Sequence, residues 1–195
     1  MHAVPVWIRG GLALLVLIAA IYDLRFRRIP NWLNFSGIIL GFGLNAFFSQ
    51  WGGTAKAGEG MLLAVAVYLP LYALRGMGAG DVKLMAAVGA LVGPGNWFQI
   101  FIATALLGGA TAGLFALLKK RLSDTLFNLY FLVKDLLSLR APYRTNPELD
   151  FRRPGSLSLP HGVSIALGSY SFLTCVVTGN QTLSQTIAEI LFRVF

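Results

Sequence analysis

The fold class predicted for this sequence is an all-α, polytopic membrane helix bundle: about six transmembrane helices, with interfacial amphipathic helices beside them. Three observations predict it. Hydrophobic residues fill 56% of the 195 positions and charged residues only 12%, about half the charge of an ordinary soluble domain. Mean hydropathy is +0.68, which excludes a disordered chain, because such chains are poor in apolar residues and rich in charge. The apolar residues are also gathered into runs, several of them near the roughly 17–25 residues that cross a bilayer.

The first run, 4–22, is interrupted only by Arg9 near its outer end. It stops at Asp23-Leu24-Arg25-Phe26-Arg27-Arg28 without a small-residue cleavage site, so it reads as a first span and not as a removed signal peptide. The second run, 32–51, is closed by Gly52-Gly53. The third, 60–74, is short and bent by Pro70, which a membrane helix tolerates. The fourth, 82–92, is shorter still and meets the breaker Gly93-Pro94-Gly95. The fifth, 97–118, ends in Lys119-Lys120-Arg121, and the sixth, 162–178, lies between Pro160-His161 and Gly179-Asn180.

Between the fifth and sixth runs, Leu122, Leu126, Leu129, Val133 and Leu136 share one helical stripe. That pattern predicts an amphipathic helix on the cytoplasmic membrane surface, with a further buried span as the alternative. The remainder of 121–159 is a polar, basic loop, and 182–195 is an outer interfacial tail. All of 1–195 is expected to form a single membrane-embedded domain.

A net charge of +8 would point to nucleic acid in a soluble chain. Here it sorts by loop. With the turn after the first span in the cytoplasm, thirteen of the sixteen basic residues fall inside, and only Arg9, Lys56 and Arg193 fall outside. The positive-inside rule then places both termini outside. The expected partner is membrane lipid, with no nucleic acid. One cysteine, Cys175, and two histidines, His2 and His161, exclude an internal disulfide and a thiolate metal site. No H-E-x-x-H is present, so zinc proteolysis is excluded as well. No cofactor and no metal are expected. Small residues recur four apart at Gly37/Gly41, Gly89/Gly93 and Gly109/Gly113. Such spacing lets helix backbones approach closely, within one bundle or across a dimer seam, so the oligomeric state stays open.

A charge within a span costs on the order of 2.5–3.5 kcal/mol by insertion scales, so an intramembrane acid is a functional candidate. Two acids qualify. Asp23 closes the first span and Asp81 opens the fourth, and the parity of spans puts both at the cytoplasmic end. Two carboxylates at one depth are what water activation requires, one to take a proton and one to polarise a carbonyl. The plainer alternatives are an i,i+4 pair of Asp23 with Arg27 and a favourable first-turn position for Asp81. Asp81 follows Gly76-Met77-Gly78-Ala79-Gly80, and so glycine-dense an approach lets another backbone come close. No Lys-Ser/Thr pair follows, which excludes a phosphate loop.

Gly78-Ala79-Gly80-Asp81 resembles the GxGD motif of membrane-embedded aspartyl proteases. Asp23-Leu24-Arg25 with Arg28-Ile29-Pro30-Asn31 is similar to the first-helix motif of type IV prepilin peptidases. The run from Asp81 to Gly89, which includes Lys83, resembles that family's strongest block. Leu159-Pro160-His161-Gly162-Val163 resembles its last helix entry, although His161 stands where an aromatic residue is expected. The resemblance implies a catalytic dyad of Asp23 and Asp81. Gly78, Gly80, Pro30, Asn31, Lys83 and Pro160 are expected to shape the site. It implies prepilin or pseudopilin substrates, cut at the cytoplasmic face of a prokaryotic inner membrane. The compact form is most similar to the single-domain peptidases of tight-adherence (Flp) pilus systems, without the paired-cysteine zinc domain of the methylating members.

Two other functions fit parts of the pattern. A presenilin or signal-peptide-peptidase-like protease also pairs Tyr-Asp, here Tyr22-Asp23, with GxGD, but Ile29-Pro30-Asn31 points away from it. An ion carrier or secretion-system subunit would use the two acids as a proton relay. Carriers of that type usually carry inverted repeats, and none is visible.

Overall fold

A computed structural model of the chain describes residues 4–73, 77–118 and 161–177. Among these residues every regular element is helical: α1 (Val6–Phe26), α2 (Asn31–Ala73), α3 (Ala79–Leu118) and α4 (His161–Val177). Helices α1 to α3 contain stretches long and apolar enough to cross a membrane, and α4 is a shorter apolar helix.

The expected count of six spans is not reproduced. The second and third expected spans both fall in α2, and the fourth and fifth both fall in α3. The reason is local. Gly52-Gly53 and Gly95 do not end helices; each continues one. The breaks fall instead on single residues, Gln50 (φ 49°, ψ −135°) in α2 and Gly93 (φ 75°, ψ 173°) in α3. Positive φ is natural for glycine and uncommon for glutamine, so only the second break was legible. Unbroken, the 43 residues of α2 would extend about 65 Å at 1.5 Å per residue, twice a hydrocarbon core of about 30 Å. The expected surface helix and loop at 121–159, Pro160 and the tail at 182–195 lie outside the described residues.

α1 ends where Arg27 turns left-handed (φ 52°) and its N–H returns to the Asp23 carbonyl at 2.9 Å. Proline at 30 keeps the preceding residue out of the helical region, which separates α1 from α2. Arg9, the one charge inside the first apolar run, donates through Nε to the Val4 carbonyl at 2.8 Å. Exposed apolar side chains such as Leu14, Leu17, Ile39, Phe47, Leu62 and Leu106 give the outer surface the character of a lipid-facing one.

The core is organised around the first half of α3. Every residue from Leu84 to Gly93 is buried, as expected of a helix that is hydrophobic all round. Small residues let its neighbours in. A methyl group added at Gly41 would meet the Ala90–Leu91 backbone, and one at Gly60 would collide with the Gly89 backbone. The glycine pair 37/41 and Gly89 therefore pack inside one bundle, while Gly109 and Gly113 have nothing within 4 Å. The helix break is also capped. Asn45 Nδ2 reaches the carbonyls of Ala90 and Leu91 at 3.0 Å each, and Asn96 Nδ2 reaches Val92 at 3.1 Å. Beyond the break, the Trp97 indole donates to the Met85 carbonyl at 3.1 Å, so the second half of α3 leans back on the first. Helix α4 packs on both α1 and α3, and its Tyr170 hydroxyl donates to the Ala13 carbonyl at 3.0 Å.

Candidate active site

Asp23 lies in the last turn of α1 and Asp81 in the first turn of α3. Both are buried, each 7% exposed. A buried carboxylate needs hydrogen bonds to be tolerated, and each finds one from a glycine amide. Gly162 N–H, at the start of α4, donates to Asp23 Oδ2 at 2.8 Å. Gly78 N–H donates to Asp81 Oδ2 at 3.1 Å, while the Asp81 N–H returns to the Gly78 carbonyl at 3.2 Å. The second arrangement is half of a capping box, in which the third helical residue reaches back to the N-cap amide. Thus the C-terminal end of α1 and the N-terminal ends of α3 and α4 meet at one end of the bundle.

The two acids also feel each other. The charge on Asp23 acts at Asp81, and Arg27, four residues along, acts on Asp23. The Asp81 charge reaches the hydroxyl of Tyr68 as well. Tyr68 is 2% exposed and stands in an aromatic cluster with Trp97, Phe101 and His161.

Most of the other residues singled out from sequence lie near these helix ends. Gly80 faces Ile29, where an added methyl group would sit 3.2 Å from the Ile29 Cβ, and its carbonyl accepts from Asn34 Nδ2 at 3.3 Å. Lys83 Nζ donates to Asn31 Oδ1 at 2.8 Å, and the Pro30 carbonyl accepts the Asn34 N–H at 3.4 Å. The Lys83–Asn31 and Asn34–Gly80 bonds therefore fasten the start of α2 to the start of α3, while Pro30 accepts within the first turn of α2. Sequence reasoning missed Gly162 as the partner of Asp23, and missed Tyr68 altogether. Gly162 carried a signal, a glycine directly after the Pro-His helix entry; Tyr68 sits unmarked in an apolar run. A cavity of about 250 Å³ lies at the opposite end, lined by Asn45, Lys56, Gly93 and Asn96 among others. No group of three His, Cys, Asp or Glu suited to a metal lies among the described residues.

A helical membrane protein with two buried aspartates at one end of its bundle, each held by a glycine amide, is the class that these features define. A sequence model of the type IV leader peptidase family matches residues 11–113, more than half of the chain. The chain belongs to that family, and is a protease of the leader-peptidase type whose family implies prepilin-type substrates. No curated protein matches it, and no solved structure does. The matched stretch carries Asp23, Gly78, Gly80 and Asp81 and stops short of α4.

Proposed function

We propose that the chain is a membrane-embedded aspartyl endopeptidase that removes the leader of type IV prepilins or pseudopilins at the cytoplasmic face, with Asp23 and Asp81 as its catalytic dyad. The observation that carries this reading is the meeting of two buried, glycine-held aspartates from α1 and α3 within electrostatic reach. Two buried carboxylates that act on each other share one proton more readily than they both ionise. The ionised carboxylate takes a proton from water, and the resulting hydroxide attacks the scissile carbonyl. The protonated carboxyl gives its proton to the carbonyl oxygen. Collapse of the tetrahedral adduct breaks the C–N bond: the amine leaves with the proton that the first carboxylate took up, and one hydroxyl of the adduct returns its proton to the second carboxylate as the new carboxyl forms.

The test is co-expression with a panel of Flp-type prepilins carrying basic leaders, read by the mobility shift of processed pilin. Asp23→Asn and Asp81→Asn are each expected to abolish cleavage while the protein still inserts, since a dyad acts as a unit. Substantial processing by either single variant would sink the dyad. Mass spectrometry of pilin matured by this chain alone is expected to show a free N-terminal amine; a methylated terminus would refute cleavage without methylation.

A further inference from the structure

The end of the bundle opposite the dyad holds the cavity of about 250 Å³, and three interruptions of regular structure meet around it. Val4 and Pro5, where α1 begins, line one side. Ser49, next to the Gln50 break of α2, lines another, and Gly93, the break in α3, lines a third. From Asp81 to Gly93 is about 18 Å along α3 at 1.5 Å per residue, so a group bound here stays clear of the dyad.

The lining is divided by chemistry. Ile8, Gly53, Leu91, Val92 and Gly93 are buried and offer no polar side chain. Asn45 and Asn96 commit their Nδ2 atoms to main-chain carbonyls, which leaves each Oδ1 as an acceptor. Phe48, Ser49 and Lys56 line the cavity and are also exposed, so they stand at its mouth. Among the described residues the Lys56 ammonium makes no hydrogen bond or ion pair, not even with Glu59 one turn on. A cation at the edge of a lipid-facing surface is costly unless a headgroup or an anion meets it. The neighbouring surface is strongly apolar, with Phe47 81% and Trp51 87% exposed. An acidic glycerophospholipid matches all three features: an anion for Lys56, hydroxyl donors for the two asparagine oxygens, and acyl chains for the aromatic wall. A free phosphate would use the lysine alone. The cavity is smaller than the about 300–1,000 Å³ of pockets that enclose a whole small molecule, which suits a headgroup whose tails stay outside.

We propose that this cavity seats the phosphoglycerol headgroup of an anionic phospholipid from the leaflet opposite the dyad, with Lys56 meeting the phosphate and Asn45 and Asn96 accepting from the glycerol hydroxyls. The site stands whether or not the two aspartates cut a prepilin. Its occupant ties the start of α1 to the breaks in α2 and α3, and so fastens the far end of the bundle.

The experiment uses the full chain purified in a neutral detergent. Its micelles are doped with phosphatidylglycerol or with phosphatidylcholine, or inorganic phosphate is added to the buffer at the same concentration. Native mass spectrometry counts the bound lipid, and thermal melting follows stability. The wild type is expected to retain one phosphatidylglycerol and to melt higher with it, because a ligand that binds only the folded state stabilises that state. Phosphatidylcholine has the phosphate but no donor for the asparagine oxygens, and inorganic phosphate has no tail, so neither is expected to raise the melt. Lys56→Gln is expected to weaken phosphatidylglycerol retention about tenfold, the worth of a charge-assisted hydrogen bond, and Lys56→Arg to restore it. Without lipid, the Gln variant is expected to melt with the wild type, which separates lost binding from lost folding. Equal retention by the wild type and Lys56→Gln overturns the proposal, and so does an equal shift with phosphatidylcholine. An equal shift with inorganic phosphate overturns a lipid as the occupant.

Discussion

A methyl group at position 162 would lie 2.9 Å from Asp23 Oδ2 and 3.1 Å from its Cβ, whereas one at position 78 would lie 3.3 Å from Asp81 Oδ2. The first is too close on two atoms of one buried side chain, so Asp23 must move. The second asks for a few tenths of an ångström. A misplacement near 1 Å can cost on the order of 10²-fold in rate, so Gly162→Ala is expected to lose nearly all prepilin processing, and Gly78→Ala clearly less. Cleavage assays at matched expression check the order; equal activity in the two variants would contradict it. The aspartates themselves were legible, because an acid at the edge of an apolar run has few bland explanations. Gly162 was marked by the Pro-His entry before it, but its pairing with Asp23 was not, because the two stand 139 residues apart and no local pattern records a pairing at that separation.

At the scale of the helix, the glycines of the core are not equivalent. Gly89 and Gly60 press backbone to backbone, while Gly43, in the same family of small residues, has nothing within 4 Å. Overpacking a tight core typically costs about 1–3 kcal/mol. Gly89→Ala is therefore expected to lower thermal stability in detergent by that order, and Gly43→Ala to leave it unchanged or raise it by up to ~1 kcal/mol through reduced backbone freedom. Matching melts for the two would show that the α2–α3 approach is not tight. The break at Gly93 was readable from Gly93-Pro94-Gly95, because glycine takes positive φ readily. The Gln50 break was not, because glutamine has no preference of its own for the positive φ it adopts there. Propensity favoured a turn at Gly52-Gly53, yet both lie inside α2.

Taken as a whole molecule, the chain has an orientation that charge alone predicts. A cysteine introduced at Thr54, in a background with Cys175→Ser, is expected to react with an impermeant reagent added from outside, and one at Asn146 to be protected. The reverse pattern would put the proposed dyad on the wrong side for a leader that emerges in the cytoplasm. That Asp23 and Asp81 share one end of the bundle was deducible from span parity. How α4 closes over them was not, since a run of apolar residues specifies depth in the bilayer and not neighbours.

The half of α3 that carries Asp81 runs only from Ala79 to the break at Gly93, about 20 Å at 1.5 Å per residue. A fluid hydrocarbon layer is about 30 Å thick. Every residue of that half from Leu84 to Gly93 is buried, so its shortness is met by neighbouring helices and not by lipid, and the bilayer has no mismatch to relieve there. Leader cleavage by the proposed dyad is therefore expected to vary little with acyl-chain length in proteoliposomes. A rate that falls steeply as the chains lengthen would mean that membrane thickness reaches the site.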